Sequence, residues 1–184
     1  MIKRSNVVIL IIPLVILALL TACDTGTEAD PEPEAGLDTV EGAILLLERC
    51  WEEADIDTYS TLFTDDFVFY FDDGDVGGDI PTSWGLQEEL DAVEGVFERA
   101  GADNITLHLQ LPEDYTEPEG DSCWANGVVY DLRVTIEDTT YLAQAETNFF
   151  LEKTDNEWLI KYWYDVISKL AHCTSWGMIK AYLR

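Results

Sequence analysis

The stretch Val128–Ile167, VVYDLRVTIEDTTYLAQAETNFFLEKTDNEWLIKYWYDVI, decides the fold of this chain. It is rich in β-branched and aromatic residues and is interrupted by two short polar segments. Two-residue turns at Asp138-Thr139 and Asp155-Asn156 predict three consecutive antiparallel strands. Because side chains alternate along a strand, these two turns also predict which residues share a face of the sheet.

In that register Lys153 faces Trp158, and Tyr130, Thr147 and Tyr164 lie side by side. One face is apolar and carries Val128, Tyr130, Leu132, Val134, Ile136, Tyr141, Ala143, Ala145, Phe149, Leu151, Trp158, Ile160, Tyr162, Tyr164 and Val166. The other face carries the polar residues Asp131, Arg133, Gln144, Glu146, Asn148, Lys161 and Asp165, with Leu142, Phe150, Leu159, Trp163 and Ile167 among them. A sheet with one apolar face needs a cover, which we expect the helices to provide.

Apolar residues four, three, four and three positions apart predict the two longer helices, Asp38–Asp55 and Leu86–Ala100. The remaining predicted elements are a short helix Asp57–Phe63, strands Phe67–Phe71 and Ile105–Leu111, and a tail helix within Thr174–Arg184. Asp38, Ser83 and Ser175 are the candidate N-caps and Gly101 a candidate helix stop.

The N-terminus has the features of a bacterial lipoprotein signal peptide. Lys3 and Arg4 precede an apolar run that is shorter than the roughly 20 residues of a membrane-spanning helix. Leu20-Thr21-Ala22-Cys23 resembles a lipobox, which implies cleavage before Cys23 and acylation of its sulfur. We therefore predict a protein attached to the cell membrane through Cys23 and facing the periplasm or the cell exterior, with an uncleaved anchor as the alternative.

The predicted organisation is a signal peptide (1–22), an acidic linker after the lipidated cysteine (23–36), one domain (37–167) and a tail (168–184). The chain has 37 acidic and 10 basic residues, for a net charge of −27. Nucleic-acid recognition needs a basic surface, so this class of partner is excluded. An acidic solvated surface or a surface for cationic partners remains open.

We predict no metal site and no cofactor. The loop Asp72–Asp79 is acidic and rich in glycine, but it does not place oxygen ligands at the spacing of a calcium-binding loop. Cys50, Cys123 and Cys173 are too widely separated for a zinc site. Cys50 lies among apolar helix residues, so we expect it to pack in the core.

The order helix, helix, strand, helix, four strands resembles the nuclear transport factor 2-like superfamily, which includes ketosteroid isomerase-like and SnoaL-like proteins. The resemblance rests on Ala54–Tyr59, Leu62–Phe69 and Glu157–Lys161 and covers Asp38–Ile167. It implies an α+β fold in which a curved antiparallel sheet wraps around helices as a cone. It also implies an internal cavity and, in many members, a dimer through the outer sheet face.

Catalysis is not expected, because the predicted inner face of the strands carries no ionisable acid or base apart from tyrosine. In isomerases of this superfamily the base lies on the first strand, and the matching position here is Phe71. We predict instead an apolar ligand pocket formed by Trp51, Tyr59, Phe69, Phe71, Trp84, Tyr130, Tyr162 and Tyr164. The outer residues Leu142, Phe150, Leu159 and Trp163 are the predicted homodimer interface.

The sequence therefore predicts non-catalytic binding of a small apolar ligand or of a partner protein. Two alternatives stay open. The first is a cyclase, isomerase or hydrolase that uses carboxylates such as Glu48, Glu52 or Asp72, and the second is a structural module that only dimerises.

Overall fold

The computed structural model describes residues 34–166 and 174–184. Outside the described residues lie the predicted signal peptide, the predicted acylation site Cys23, the linker up to residue 33, Ile167 and Cys173. Within residues 34–166 and 174–184, each helix is too short or too polar to cross a membrane.

The first helix, α1, spans Val40–Glu53 and is capped by Thr39, whose hydroxyl accepts a hydrogen bond from the Gly42 N–H. The predicted N-cap, Asp38, lies one residue before the observed cap. The Glu117 carboxylate accepts from the N–H groups of Val40 and Glu41 at 3.1 and 2.9 Å. A negative charge at a helix N-terminus is favourable, so the acidic loop that carries Glu117 is fixed against α1.

The other helices are α2 (Ile56–Ser60), α3 (Leu86–Ala100) and α4 (Trp176–Leu183). The predicted bounds of α3 and its stop at Gly101 are confirmed. Its N-cap is Gly85, whose N–H donates to the Glu88 carboxylate at 3.2 Å. The expected cap Ser83 instead belongs to a short strand that the sequence did not reveal.

Six strands form one curved sheet that does not close. They are β1 (Phe63–Tyr70), β2 (Ser83–Gly85), β3 (Ile105–Gln110), β4 (Ser122–Ile136), β5 (Thr139–Thr154) and β6 (Glu157–Asp165). Their order is β2-β1-β6-β5-β4-β3. The predicted α+β cone is confirmed, but the sheet is mixed rather than antiparallel, because β1 and β6 run parallel.

The β4–β5 hairpin turns at Glu137-Asp138, one residue before the predicted tip. Ile136 pairs with Thr139 and Tyr130 pairs with Ala145, so every predicted pair is shifted by two residues. A shift of two residues leaves each side chain on its predicted face. The face assignment for Val128–Ile136 is therefore right although its pairing partners were wrong.

The β5–β6 hairpin begins in the predicted register, with Lys153 opposite Trp158 and Leu151 opposite Ile160. The register then shifts, and Phe150 pairs with Tyr162, so a bulge leaves Lys161 unpaired. A bulge of one residue puts two successive side chains on the same face and reverses the alternation beyond it.

Because of this reversal, four side chains of β6 lie on the face of the sheet opposite to the predicted one. Trp163 and Asp165 point into the core and are 0% and 5% exposed. Tyr162 and Tyr164 point outward and are half-buried. The exchange buries the Trp163 indole, whose N–H has no hydrogen-bond partner among the described residues, and leaves Tyr162 and Tyr164 partly accessible to solvent.

The tail helix α4 docks in the cone, as its apolar side predicted. The Trp176 ring lies 5.2 Å from the Trp51 ring and 4.5 Å from the Trp163 ring, and all three side chains are fully buried. A Cβ atom at residue 177 would lie 2.8 Å from the Phe71 ring, so glycine is required where α4 enters. The helix fills the region in which the sequence predicted a cavity.

Candidate functional site

The inward-facing residues of the predicted pocket form a packed core. Trp51, Tyr59, Phe69, Phe71, Trp84 and Tyr130 are each at most 6% exposed. Trp51 packs edge-to-face on Phe97 and Trp176 with ring centroids 5.4 and 5.2 Å apart. These rings contact one another and α4.

A buried ion pair joins α4 to α3 through this core. The Lys180 ammonium lies 2.8 and 2.9 Å from the two carboxylate oxygens of Glu89, and both side chains are fully buried. The Tyr59 hydroxyl and the Trp84 indole N–H also donate to Glu89, at 2.6 and 2.7 Å. Each carboxylate oxygen of Glu89 therefore accepts two hydrogen bonds. A buried charge needs such hydrogen bonds because it has lost its contact with water.

Aromatic faces enclose the cation of this pair. The Lys180 ammonium lies 3.5 Å from the centre of the Phe69 ring and 4.0 Å from the Trp163 ring. Burial lowers the pKa of Lys180, and the Glu89 carboxylate opposes this effect. The sequence analysis missed both residues. The sequence did contain a signal for both residues. Glu89 is four residues before Val93 and Lys180 is four residues after Trp176, a spacing that places each charged residue on the apolar face of its helix.

Asp165 forms a second buried polar contact, at the N-terminus of α4. Its carboxylate accepts from the Tyr130 hydroxyl at 3.1 Å and from the Gly177 N–H at 2.6 Å. The same hydroxyl accepts from the Trp176 N–H at 3.1 Å. Burial raises the pKa of Asp165 to about 6, against the lowering effect of the hydrogen bond from Gly177 and the charge of Lys180. The prediction that the strands bring no acid to the core is wrong, because the bulge at Lys161 turns Asp165 inward.

An open cleft of about 410 Å³ lies at the rim of the cone, between the ends of β1 and β6 and the first part of β4. Its lining combines aromatic or apolar residues with carboxylates and amides, namely Phe71, Trp124, Tyr164, Val166, Asp72, Asp73, Asp165, Asn126 and Asn148. Of the predicted pocket residues, Phe71 and Tyr164 meet here. The volume is within the range of small-molecule sites.

A bulge in β4 shapes one wall of this cleft. Regular pairing stops between Ala125 and Val128, and Gly127 has a φ of 69°, a conformation that favours glycine. The Gly127 N–H donates to the Asn148 side-chain oxygen at 2.8 Å, which fixes the amide. The NH₂ group of that amide is a donor. The Trp124 indole is 47% exposed, and its ring centre lies 5.6 Å from that of Tyr164.

The cleft continues into a strip of rings on the outer sheet face. Tyr164 stacks on Tyr70 at 4.4 Å, Phe150 stacks on Tyr162 at 5.7 Å, and Trp124 lies 5.1 Å from Phe150. The predicted interface residues Leu142, Phe150 and Leu159 are on this face and at least partly accessible. Trp163 is not, so it cannot form an interface on this side of the sheet.

The other predicted groups lie apart from this cleft, except Asp72. Glu48 accepts from the Leu109 N–H at 2.5 Å, and Glu52 is an exposed helix residue. Cys50 is buried on α1, and burial raises the pKa of its thiol to about 12. Among the His, Cys, Asp and Glu side chains of the part of the chain that the structure describes, no group of three is arranged to hold a metal ion.

Comparison with solved structures identifies the fold. A conserved protein from Planctomyces limnophilus matches with a TM-score of 0.56 at 17% identity, over 68% of this chain and 91% of that one. A candidate aromatic ring hydroxylase from Novosphingobium aromaticivorans matches with a TM-score of 0.59 at 16% identity, over 77% and 94%. A ketosteroid isomerase-like protein from Erwinia carotovora atroseptica matches with a TM-score of 0.50 at 17% identity, over 70% and 92%.

No family model matches the sequence, and no curated protein does. The structural matches nevertheless agree with the element order and the sheet topology. The domain has the nuclear transport factor 2-like fold. At these identities the matches define the fold alone, so function has to be argued from the site.

Proposed function

We propose that this protein is a membrane-tethered, extracytoplasmic, non-catalytic binding domain whose small-molecule site is the rim cleft. One observation carries the proposal. The cone interior is occupied by Trp176 and Lys180 of α4, both 0% exposed, whereas the cleft beside it is open and has an accessible indole. A ligand therefore has space at the rim without displacing packed side chains.

The tether is supported by the sequence alone. Lys3 and Arg4, the apolar run after them and Leu20-Thr21-Ala22-Cys23 form the pattern on which lipoprotein processing acts. Acylation of Cys23 with more than one chain gives stable membrane anchoring.

Binding is favoured over catalysis by the way Asp165 is used. Its two oxygens accept hydrogen bonds from Tyr130 and Gly177, which hold the start of α4. A base that abstracts a proton from a substrate needs an oxygen within hydrogen-bond reach of that proton. The carboxylate here is 5% exposed and its hydrogen bonds serve the docking of α4.

An enzyme is the second candidate, and one observation favours it. Asp165 lines the cleft, and its pKa of about 6 is suited to proton transfer near neutral pH. In that case the cleft would hold a substrate, and turnover would depend on this carboxylate.

Native mass spectrometry of the mature protein purified from its own membranes tests the proposal. We expect a small-molecule adduct on the wild type and on Tyr182→Ala, a control on the exposed residue Tyr182, and a much weaker adduct on Trp124→Ala. An adduct that persists in Trp124→Ala places the site elsewhere. Conversion of the released molecule by the wild type but not by Asp165→Asn establishes the enzyme instead.

A further inference from the structure

We propose that Glu48 and Glu52 of α1 close the free edge of β3, so that a second copy of this domain cannot add its own β3 there. The proposal assigns a role to two carboxylates that lie away from the rim cleft, and it is independent of the proposed function. Its basis is that the helix places carboxylate oxygens where a neighbouring strand would place its carbonyl groups.

The two edges of the curved sheet differ in length. One edge strand is β2, with three residues, and the other is β3, with six. An edge strand as long as β3 presents backbone N–H and C=O groups that can pair with a strand of another molecule. Pairing with β4 uses one side of β3, so the backbone groups on the other side need a different partner.

Carboxylates of α1 provide acceptors on that side of β3. The Leu109 N–H donates to Glu48 at 2.5 Å, and the Glu48 side chain is only 20% exposed. Burial and the charge of Glu48 raise the pKa of Glu52, whereas a hydrogen bond from the Leu107 N–H lowers it. The same Glu48 oxygen lies 3.7 Å from Nδ1 of His108, so Glu48 also meets a side chain of the strand.

The spacing of the two carboxylates matches the spacing of the strand. Residues four apart on a helix are separated by about 6 Å along its axis, and N–H groups two residues apart on one side of a strand by about 6–7 Å. Moving forward along α1 corresponds to moving backward along β3, so the two elements are antiparallel. Ile44, one turn before Glu48, lines the same groove as Leu111, which continues this register.

A second copy is the partner that fits an open β3 edge, because the strand is complementary to itself. Its side chains are alternately buried and exposed, so two antiparallel β3 strands would keep Leu107 and Leu109 on one face and Thr106 and His108 on the other. The carboxylates of both copies would meet at this contact, in a chain whose net charge is −27. Glu48 and Glu52 therefore oppose the pairing both by occupying N–H groups and by repulsion of like charges.

Hydrogen–deuterium exchange of the intact protein, resolved at single amides, tests whether the edge is covered. The amides of Leu107 and Leu109 should exchange slowly in the wild type. In the double variant Glu48→Ala, Glu52→Ala at low protein concentration, their exchange should be at least about tenfold faster, the factor expected from losing a hydrogen bond to a charged group. Unchanged protection in β4 and β5 shows that this variant is folded. Fast exchange in the wild type, or equal rates in wild type and folded variant, would overturn the proposal.

Sedimentation velocity of the same double variant measures association relative to the wild type. We expect a species of at least twice the wild-type mass to form as concentration rises, with protection returning at the amides of Leu107 and Leu109. Alanine is the best helix former, so the substitutions keep the helix propensity of α1. The control Glu53→Ala, Glu98→Ala removes two exposed carboxylates elsewhere on α1 and α3 and should sediment as the wild type does.

The double variant Glu48→Gln, Glu52→Gln separates hydrogen bonding from charge. Each amide oxygen still accepts from a strand N–H, so exchange should stay slow and the mass should equal that of the wild type. Association of this variant as strong as that of the alanine variant would overturn closure by hydrogen bonds and leave charge as the barrier. A folded alanine variant with the wild-type mass at about hundreds of micromolar would overturn the proposal. If the alanine variant does not fold, exchange in the wild type and in the glutamine variant decides the question.

Discussion

Replacing Lys180 by methionine should destabilise the domain strongly, because it removes one partner of a fully buried ion pair. Glu89 would keep its hydrogen bonds from Tyr59 and Trp84 but would lose the only ammonium it contacts among the described residues. Methionine has a similar length and would fill most of the vacated space. The loss is therefore electrostatic more than steric.

The expected cost is about 3–5 kcal/mol, the range for breaking a buried pair by removing one charge. Domains have total stabilities of about 5–15 kcal/mol, so this loss is a large fraction. For a domain of this size it lowers the melting temperature by roughly 6–20 °C.

Equilibrium urea unfolding of the wild type, Lys180→Met, Glu89→Gln and the double variant measures this effect as a double-mutant cycle. The double variant removes both charges and should recover most of the stability, within about 2 kcal/mol of the wild type. Lys153→Met is the control, because Lys153 lies 5.5 Å from the Trp158 ring near the surface and should cost less than about 1 kcal/mol. A loss below about 1 kcal/mol in Lys180→Met, or additive losses in the double variant, would refute the reasoning.

Four further outcomes are expected. Because burial raises the pKa of Asp165 from 3.8 to about 6, the folded domain binds this proton more tightly than the unfolded chain, and the free energy of unfolding should fall as pH rises from about 4 to about 6. Urea unfolding should show that Asp165→Asn removes up to about 3 kcal/mol of this fall; an unchanged pH profile would contradict the assignment. Tyr130→Phe should cost about 1–3 kcal/mol in the same assay, since the buried Trp176 N–H loses its acceptor and the Asp165 carboxylate loses one of its donors, and a neutral effect would show that these contacts are dispensable. Cys23→Ser should move the protein out of the membrane fraction or leave it unprocessed, and normal processing with membrane retention would rule out acylation. Phe150→Glu should give a folded monomer, and a wild type that sediments as a monomer at about tens of micromolar would argue against the outer-face dimer.

Most of the fold was predictable because the apolar residues of most segments follow either the helical spacing or the strand alternation, and not a mixture of the two. The stripe of α3 and the strict alternation of β3 predicted those elements nearly to the residue. The error in the position of the β4–β5 turn did not change the predicted faces, because a two-residue shift in pairing leaves every side chain on the same face of the sheet. Here a local pattern and the tertiary structure agree.

The site was not predictable, because it depends on two bulges. Tyr162-Trp163-Tyr164 contains no apolar–polar alternation, so the sequence does not reveal where the register of β6 changes. Because the alternation of side chains reverses beyond the β6 bulge, Asp165 points into the core and Tyr164 lines the rim cleft. Asn126-Gly127 was a usable signal of the β4 bulge, since such dipeptides mark turns and bulges.

The Glu89–Lys180 ion pair was not predicted, for a different reason. Charged residues on a helix normally face solvent, and Glu89 and Lys180 are favourable in the core only together. Their pairing joins positions that are far apart in the chain. Periodicity within a single helix cannot reveal such a partner.

Hydrogen–deuterium exchange of the intact protein, read at the amides of α4 and at the Trp176 indole, tests most directly that the cone is filled and that binding takes place at the rim. Packing of Trp176, the ion pair of Lys180 and the contact of Asp165 with the helix N-terminus predict exchange that is as slow as that of the central strands β4 and β5. Exchange of α4 within seconds, while β4 and β5 stay protected, would contradict the account, because the cone would then open readily and its interior would be available to a ligand.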